Sequence, residues 1–194
     1  MNKHSKKMTA IAFVLAAASG SAFATDPGAF FVNGNLGQSH YSDSGFSDRT
    51  DISTAVRAGY SWQSDVVDFG VEAGYVDLGK ARGSVNALGI SANYSARGKG
   101  PLAGINLKYK FGNKWFVAGR LGYFRSTLTE NISGYGSYSF SGNGGYVGAS
   151  MGYDITPHFS LGAGYDNYHG RVKFSGNSYS DNIGVISGFA EYRF

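Results

Sequence analysis

The chain has 194 residues, of which 30 are glycine, three are proline and none is cysteine. The lack of cysteine excludes a disulfide framework and thiolate zinc sites, and frequent glycine with rare proline excludes collagen-like repeats and proline-rich linkers. The formal net charge of +4 gives little support to nucleic-acid binding, because three of the 17 basic residues lie among the first seven positions and the rest of the chain is close to neutral.

The N-terminal segment has the features of a secretory signal. Three lysines precede a short apolar run, and Ala22 and Ala24 supply the small residues of a signal-peptidase site. The run is shorter than the roughly 20 residues that a membrane-spanning helix requires. We therefore predict a cleaved signal peptide at residues 1–24, followed by one exported domain at residues 25–194 without a peptidoglycan-binding domain.

The rest of the chain alternates between apolar and polar residues in eight stretches, with the period of two that is typical of β-strands. In the third stretch, for example, Val67, Phe69 and Val71 alternate with Asp68 and Glu72. In chain order, the apolar faces of the eight stretches span residues 30–36, 56–62, 67–75, 103–111, 115–123, 147–155, 159–165 and 186–194.

The connections between these stretches alternate in length. The tight turns lie near residues 63–65, 112–114 and 156–158, and the long polar connections are residues 41–51, 79–99, 126–143 and 169–181. Short turns on one side and long loops on the other are the layout of an outer-membrane barrel. We predict an all-β fold, an eight-stranded antiparallel up-and-down transmembrane β-barrel.

The two faces of this barrel have different expected environments. The apolar face would contact lipid, while glycine and charged residues fill the narrow lumen. The sheet must close, because hydrocarbon offers no hydrogen-bond partners to a free strand edge. A water-soluble periplasmic β-sandwich is the alternative with the same alternation. The aromatic residues predicted to form a membrane-interface girdle near the short turns are Tyr60, Trp62, Tyr109, Phe111 and Trp115.

Five short segments together carry a family resemblance. They are residues 31–37 (FVNGNLG), 70–75 (GVEAGY), 119–122 (GRLG), 153–157 (YDITP) and 191–194 (EYRF). In this order they resemble the OmpA-like transmembrane domain and, more distantly, small barrels of the OmpX/Ail type. Ala190, Tyr192 and Phe194 resemble the C-terminal signal that the outer-membrane assembly machinery reads. The resemblance implies a bacterial outer-membrane location, with that machinery and periplasmic chaperones as partners during biogenesis.

In that family a network of glutamate, arginine and lysine side chains plugs or gates the lumen. Glu72, Lys108 and Arg120 fall on matching positions. Two other positions depart from the family pattern, because Gly152 stands in place of a glutamate and Gly162 in place of an arginine. The gating scheme of the family is therefore not expected to carry over unchanged.

The two glycines leave Glu72 without the partner that the family provides. A buried unpaired charge would cost several kcal/mol, so we expect Glu72 to pair with Arg57 or Arg120. We expect the lumen charges to fill and stiffen the barrel. The predicted lumen charge network consists of Arg57, Glu72, Lys108, Arg120 and Glu191.

The long loops are the expected seat of function, since binding residues concentrate in loops that a rigid scaffold holds. We expect a monomeric, adhesin-like surface protein whose four extracellular loops contact host or environmental ligands. We expect no catalytic residue, metal or cofactor. The barrel itself would contact outer-membrane lipids. The basic residues expected to contact lipopolysaccharide phosphates at the outer rim are Arg82, Arg97, Lys99, Arg171 and Lys173.

Two other functions stay open at this point. One is a narrow gated pore for ions or small solutes, although side chains largely fill the lumen of an eight-stranded barrel. The other is an enzyme that modifies lipid A at the rim. His40 with Ser39, Ser42 and Asp43, or His169 with Asp166, would then supply the reacting groups.

Overall fold

The computed structural model describes five stretches of the chain. They are residues 28–42, 48–87, 90–132, 136–174 and 177–194, in which some residues at the strand tips are described by their backbone alone. Within these stretches, no helix is long and apolar enough to cross a bilayer. The signal peptide predicted at residues 1–24 lies outside the described residues and stays a prediction.

Eight strands form one closed sheet. They are β1 (Gly28–Tyr41), β2 (Thr50–Trp62), β3 (Val67–Ala87), β4 (Ile90–Lys110), β5 (Trp115–Ile132), β6 (Gly136–Asp154), β7 (Phe159–Phe174) and β8 (Asn177–Arg193). Each strand pairs antiparallel with its neighbour in sequence, and β8 pairs with β1 to close the barrel. The predicted eight-stranded up-and-down β-barrel is confirmed.

The two ends of the barrel differ. Short connections at residues 63–66, 111–114 and 155–158 close one end, which we call the turn end. The chain also enters β1 and leaves β8 there. We call the opposite end the hairpin end, because adjacent strands continue there as extended hairpins.

The strands at the hairpin end are longer than the sequence predicted. β3 continues to Ala87 and β4 begins at Ile90, so the region predicted as a long loop at residues 79–99 is mostly strand. The same correction applies to residues 126–143 and 169–181. The prediction failed because these segments are polar. An apolar face identifies a strand only where that face is buried or meets lipid.

Side chains alternate between the lumen and the outer wall along every strand. Phe30 and Ile186 are 66% and 70% exposed on the outer wall, whereas Arg57 is 1% exposed in the lumen. The outer wall is apolar around the barrel, and buried charged side chains lie inside. This is the assignment of faces that the period of two predicted.

Large apolar side chains also fill part of the lumen, which the expectation of a lumen of small and charged residues missed. Tyr168 makes an edge contact with Phe124, with 5.3 Å between ring centroids, and stacks on Tyr146 at 5.8 Å. These rings belong to a buried cluster toward the hairpin end, which we call the lumen cap. Its members are Tyr41, Ala55, Val76, Leu78, Ala81, Leu102, Phe124, Tyr146, Tyr168, Ile183 and Val185.

A β-bulge interrupts β3 near the hairpin end. The register between β3 and β4 shifts between Asp77 and Lys80, and Gly79 has a φ of 73°, a conformation that glycine adopts at little cost. From the lumen, the Tyr41 hydroxyl donates to the Gly79 carbonyl at 2.9 Å. The bulge inverts the alternation of β3, so that Lys80 and Arg82 lie on the outer wall.

Candidate functional site

Arg57 is the centre of a buried polar network in the middle of the lumen. Its Nη2 donates to the Tyr168 hydroxyl at 2.8 Å, and its Nη1 donates to Asn35 Oδ1. The same guanidinium lies 3.4 Å from Asp166 Oδ2 and 3.6 Å from Glu72 Oε1. β2 thus places one cation between carboxylates from β3 and β7.

Both carboxylates of this central network have further partners. The Tyr146 hydroxyl donates to Glu72 Oε1 at 2.7 Å, and Asn106 Nδ2 donates to Glu72 Oε2 at 3.0 Å. Arg120 Nε donates to Asp166 Oδ1 at 2.7 Å. Two cations therefore face two anions. Breaking such a buried pair on one side typically costs about 3–5 kcal/mol, because the other charge stays buried.

A second polar network lies toward the turn end and centres on Asp154. Its Oδ1 accepts from Lys108 Nζ at 2.9 Å, from Arg193 Nη2 at 2.8 Å and from Ser160 Oγ at 2.6 Å. Arg193 Nε also donates to Glu191 Oε1 at 3.2 Å. We call this set the turn-end network, and it ties β4, β6, β7 and β8 together.

The structure thus divides the predicted lumen charges between two networks. Arg57, Glu72 and Arg120 belong to the central network, while Lys108 and Glu191 belong to the turn-end network. The partner of Glu72 is Arg57, and Arg120 pairs with Asp166. The predicted network missed six partners of these charges. Strand alternation places side chains on the inner face, but it cannot say which of them meet across the lumen. The six are Asn35, Tyr146, Asp154, Asp166, Tyr168 and Arg193.

The two glycines that depart from the family pattern make room for aromatic rings. A Cβ at Gly152 would lie 2.4 Å from Phe116 Cζ, and one at Gly162 would lie 2.5 Å from Phe189 Cζ. The two phenylalanine rings approach each other with 6.3 Å between centroids. Lys108 Nζ lies 3.6 Å from the centroid of the Phe116 ring, a cation–π contact. Aromatic packing therefore fills the space at both glycines.

A small cavity of about 50 Å³ lies between these groups, and Asn33, Glu72, Lys108, Arg120 and Glu191 are among the residues lining it. Asn33 Oδ1 and Arg120 Nη2 are buried without a protein partner. A cavity of this size has room for a few waters, which can satisfy such atoms.

The outer wall carries aromatic side chains at both ends of its apolar zone. At the turn end, Tyr60 and Trp62 pack edge to face at 5.2 Å, as do Tyr109 and Phe111 at 5.1 Å and Trp115 and Tyr153 at 5.3 Å. The five aromatics predicted as a girdle all lie in this region. A second set near the hairpin end, which the sequence reading did not single out, consists of the exposed residues Tyr75, Tyr123 and Tyr165.

The C-terminal residues close the barrel. Tyr192 pairs with Val32 and Ala190 with Gly34 across the seam between β8 and β1. The Phe194 amide donates to the Phe30 carbonyl at 3.0 Å. The side chains of Ala190, Tyr192 and Phe194 lie on the outer wall. The residues predicted as an assembly signal therefore lie at the seam where β8 pairs with β1.

The basic residues predicted at the rim are only partly described. Arg97 donates through Nε to Asp77 Oδ1 at 3.0 Å, and Arg82 lies 3.6 Å from Asp48 and 3.8 Å from Asp51. Lys99 lies opposite Asp77 in the register between β3 and β4. Two further residues have side chains outside the described part of the structure: Arg171 and Lys173.

Of the residues considered for a rim enzyme, those that the structure describes are divided between the lumen and the outer wall. Ser39 is buried and donates to the Leu78 carbonyl at 2.6 Å, whereas His40 is exposed on the outer wall. Asp166 lies in the lumen, and His169 on the outer wall contacts Asn182 Oδ1 at 2.8 Å. Asp43 lies outside the described residues. Among the described side chains, no three histidine, aspartate or glutamate residues form a group that could hold a metal ion.

Comparisons with known proteins agree with this architecture. The chain matches the family model described as outer membrane protein beta-barrel domain over residues 9–194, and a comparison with curated protein sequences finds no match. The fold is similar to Neisserial surface protein A, with 14% identity and a TM-score of 0.53 over 85% of this chain and 97% of that chain.

Two other solved structures share the fold at a similar level. A major outer membrane protein of Thermus thermophilus has 14% identity and a TM-score of 0.52, over 86% of this chain and 99% of that one. Ail, the attachment invasion locus protein of Yersinia pestis, was solved with the heparin analogue sucrose octasulfate. It has 16% identity and a TM-score of 0.51, over 86% of this chain and 97% of that one.

Proposed function

Because this chain belongs to the outer membrane protein beta-barrel domain family, we propose that it is a rigid, plugged membrane anchor that presents extended hairpins to surfaces outside the cell, in the manner of an adhesin. The turn end then faces the periplasm and the hairpin end faces outward, which is the layout of outer-membrane barrels. The observation that carries the proposal is a filled lumen beneath strands that continue far beyond the apolar wall.

The filling of the lumen supports an anchor. The central network, the turn-end network and the lumen cap occupy successive levels, and Arg57, Leu78 and Phe124 are each at most 1% exposed. The cavity of about 50 Å³ among the described lumen residues is small. Side chains fixed by several partners brace the barrel wall from inside, and a display scaffold needs such a rigid support.

The length of the strands supports display. A membrane-spanning strand needs about 9–11 residues, whereas β3 and β4 have 21 residues each and β6 has 19. β3, β4, β5 and β6 stay paired beyond the wall, up to the pairs Ala87–Ile90 and Ile132–Gly136. The sequence at these tips is rich in serine, glycine, asparagine and tyrosine, a composition that suits adaptable binding surfaces.

The test removes the hairpins and leaves the barrel. In one variant an Asn-Gly turn replaces residues 128–140, joining the paired residues Thr127 and Ser141, and in a second the same turn replaces residues 83–94, joining Arg82 and Ser95. Bacteria that display wild-type protein or either variant are measured for adhesion to immobilised fibronectin, laminin and heparin. Retained heat-modifiable migration on gels shows that each variant is folded.

We expect wild-type cells to adhere to at least one of these surfaces and the shortened variants to fall to the level of cells without the protein. A matched control inserts Gly-Ser after Asn113 in a periplasmic turn and should adhere like wild type. If wild-type cells adhere no better than cells with either folded variant, on all three surfaces, the proposal is contradicted.

The other functions are tested separately. For a plugged anchor, purified protein in a planar bilayer should give no steady conductance, and a stepwise conductance that changes in Glu72→Ala would favour a pore. Lipid A from cells with and without the protein should give the same mass spectrum. A new lipid A species that depends on His40 or His169 would favour an enzyme at the rim.

A further inference from the structure

Among the side chains that the structure describes, positive charge is concentrated on one side of the outer wall, just beyond the hairpin-end aromatics. Tyr75 on β3 and Tyr123 on β5 mark the edge of the apolar wall there. Beyond them, outward-facing cations follow on three adjacent strands, and we call them the rim patch. They are Lys80, Arg82, Arg97, Lys99 and Arg125.

Three carboxylates hold two of these cations in place. Asp77 accepts from Arg97 Nε at 3.0 Å, and the Arg82 guanidinium lies 3.6 Å from Asp48 and 3.8 Å from Asp51. Five cations against three carboxylates leave the patch with excess positive charge. The other three cations have no ion-pair partner among the described residues; they are Lys80, Lys99 and Arg125.

The β-bulge gives the patch a concave shape. A groove of about 270 Å³ opens beside it, and its lining includes Gly79, Lys80, Arg82 and Arg97 together with two of the three carboxylates, Asp51 and Asp77. The bulge inverts the alternation of β3, which turns Lys80 to the outer wall opposite Arg97. Without the extra residue, the cations of β3 would point into the lumen.

The depth of the patch determines what it faces. Headgroup layers add only about 5–8 Å beyond the hydrocarbon on each side, and a strand rises about 3.3 Å per residue. Lys99 and Arg125 each lie two residues beyond the edge of the apolar wall, at Pro101 and Tyr123, a rise of about 7 Å that places them at headgroup depth. Lys80 pairs with Arg97, two residues further out on β4. On β1, β7 and β8, the described side chains at this level are uncharged or histidine: Gln38, His40, Asn167, His169 and Asn182.

We propose that the rim patch binds the phosphate groups of lipid A in the outer leaflet, with its acyl chains lying on the apolar wall below β3, β4 and β5. Guanidinium groups pair with phosphate oxygens in bidentate fashion, and lysines act as point charges. A cationic groove directly above an apolar wall matches an amphiphile with phosphates above acyl chains. Asp51 and Asp77 act as positioning residues for the arginines. This inference does not depend on the proposed adhesive function.

The test uses the mature protein, purified from outer membranes, in phosphatidylcholine nanodiscs. Separate samples contain diphosphorylated lipid A, dephosphorylated lipid A or phosphatidylglycerol, and native mass spectrometry measures the lipid that stays bound. The variant Lys80→Gln/Lys99→Gln/Arg125→Gln removes the three unpaired cations and leaves the ion pairs. Two controls are Lys80→Arg/Lys99→Arg/Arg125→Lys, which keeps the charge, and Lys114→Gln at the turn end.

We expect the wild type to retain diphosphorylated lipid A about tenfold better than dephosphorylated lipid A. The triple glutamine variant should lose this preference, while its heat-modifiable migration and both controls stay like wild type. Equal retention of the two forms of lipid A by the wild type would overturn the proposal, as would an unchanged preference in the folded triple variant. If phosphatidylglycerol is retained as well as diphosphorylated lipid A, the patch attracts anionic lipids in general, and this result would also overturn the proposal.

Discussion

The lumen is filled in two physically different ways along its length. In the middle, Arg57 is held by hydrogen bonds and ion pairs. Its neighbours along β2, Val56 and Ala58, face lipid, so Arg57 lies at the depth of the hydrocarbon. Toward the hairpin end, Leu78 and Phe124 pack in an apolar cluster at and beyond the outer aromatics. One barrel therefore has a polar core inside the membrane and an apolar core at its outer rim.

The difference follows from the surroundings of each level. Lipid is as apolar as leucine, so burying apolar side chains inside a membrane barrel gains little, and polar contacts hold the strands instead. At the rim the outside is the hydrated headgroup layer and water, and apolar burial there is favourable by about 25 cal/mol per Å². The lumen cap thus resembles the core of a soluble protein placed on top of a membrane barrel.

The largest effect is expected from breaking the central network. Arg57→Met would leave Glu72 buried with only hydrogen-bond partners and would remove one of the two cations beside Asp166. We expect a loss of about 3–5 kcal/mol in the free energy of unfolding, measured by urea titration of protein folded in lipid vesicles. A loss below about 1 kcal/mol would show that the ion pairs contribute little in the membrane.

Truncating the lumen cap should cost slightly less. Phe124→Ala removes a buried ring that contacts Tyr168 and leaves a cavity, at an expected cost of about 3 kcal/mol in the same titration. Because water can enter from the hairpin end, the variant should also expose its neighbouring amides to faster hydrogen exchange. Unchanged exchange in the cap would contradict its role as a seal.

A smaller effect is expected at the two glycines that admit aromatic rings. Gly162→Ala places a Cβ 2.4 Å from the Met151 carbonyl oxygen and 2.5 Å from Phe189 Cζ, and the resulting overpacking should cost about 1–3 kcal/mol. The matched control is Gly119→Ala, whose Cβ meets nothing within 4 Å and should leave stability unchanged. Equal stability of the two variants would argue against tight packing around Phe189.

The smallest effect is expected from Lys108→Met in the turn-end network. Asp154 keeps Arg193 at 2.8 Å and Ser160 at 2.6 Å when Lys108 is lost. The free energy of unfolding should therefore fall by only about 1–2 kcal/mol, clearly less than for Arg57→Met. A loss as large as that of Arg57→Met would mean that the two networks are equally dependent on a single cation.

The sequence predicted correctly those features that depend on the local pattern of residues along a strand. The period of two assigned Val71 to the outer wall and Glu72 to the lumen without reference to any other strand. It missed the upper parts of β3 to β8, because a strand in water on both sides has no apolar face. It also missed the aromatic rings beside Gly152 and Gly162, since a glycine on an inner face does not indicate which side chain fills the space.

The sequence by itself determined the number of strands, the face of each side chain in the eight alternating stretches and the end of the barrel that carries short turns, because all three follow from alternation and turn residues along the chain. Only the tertiary structure decided that Arg57 meets Asp166, 109 residues away, and that the bulge at Gly79 turns Lys80 outward. These contacts depend on how far each strand is displaced against the next when the barrel closes. That displacement is a property of the whole ring of strands.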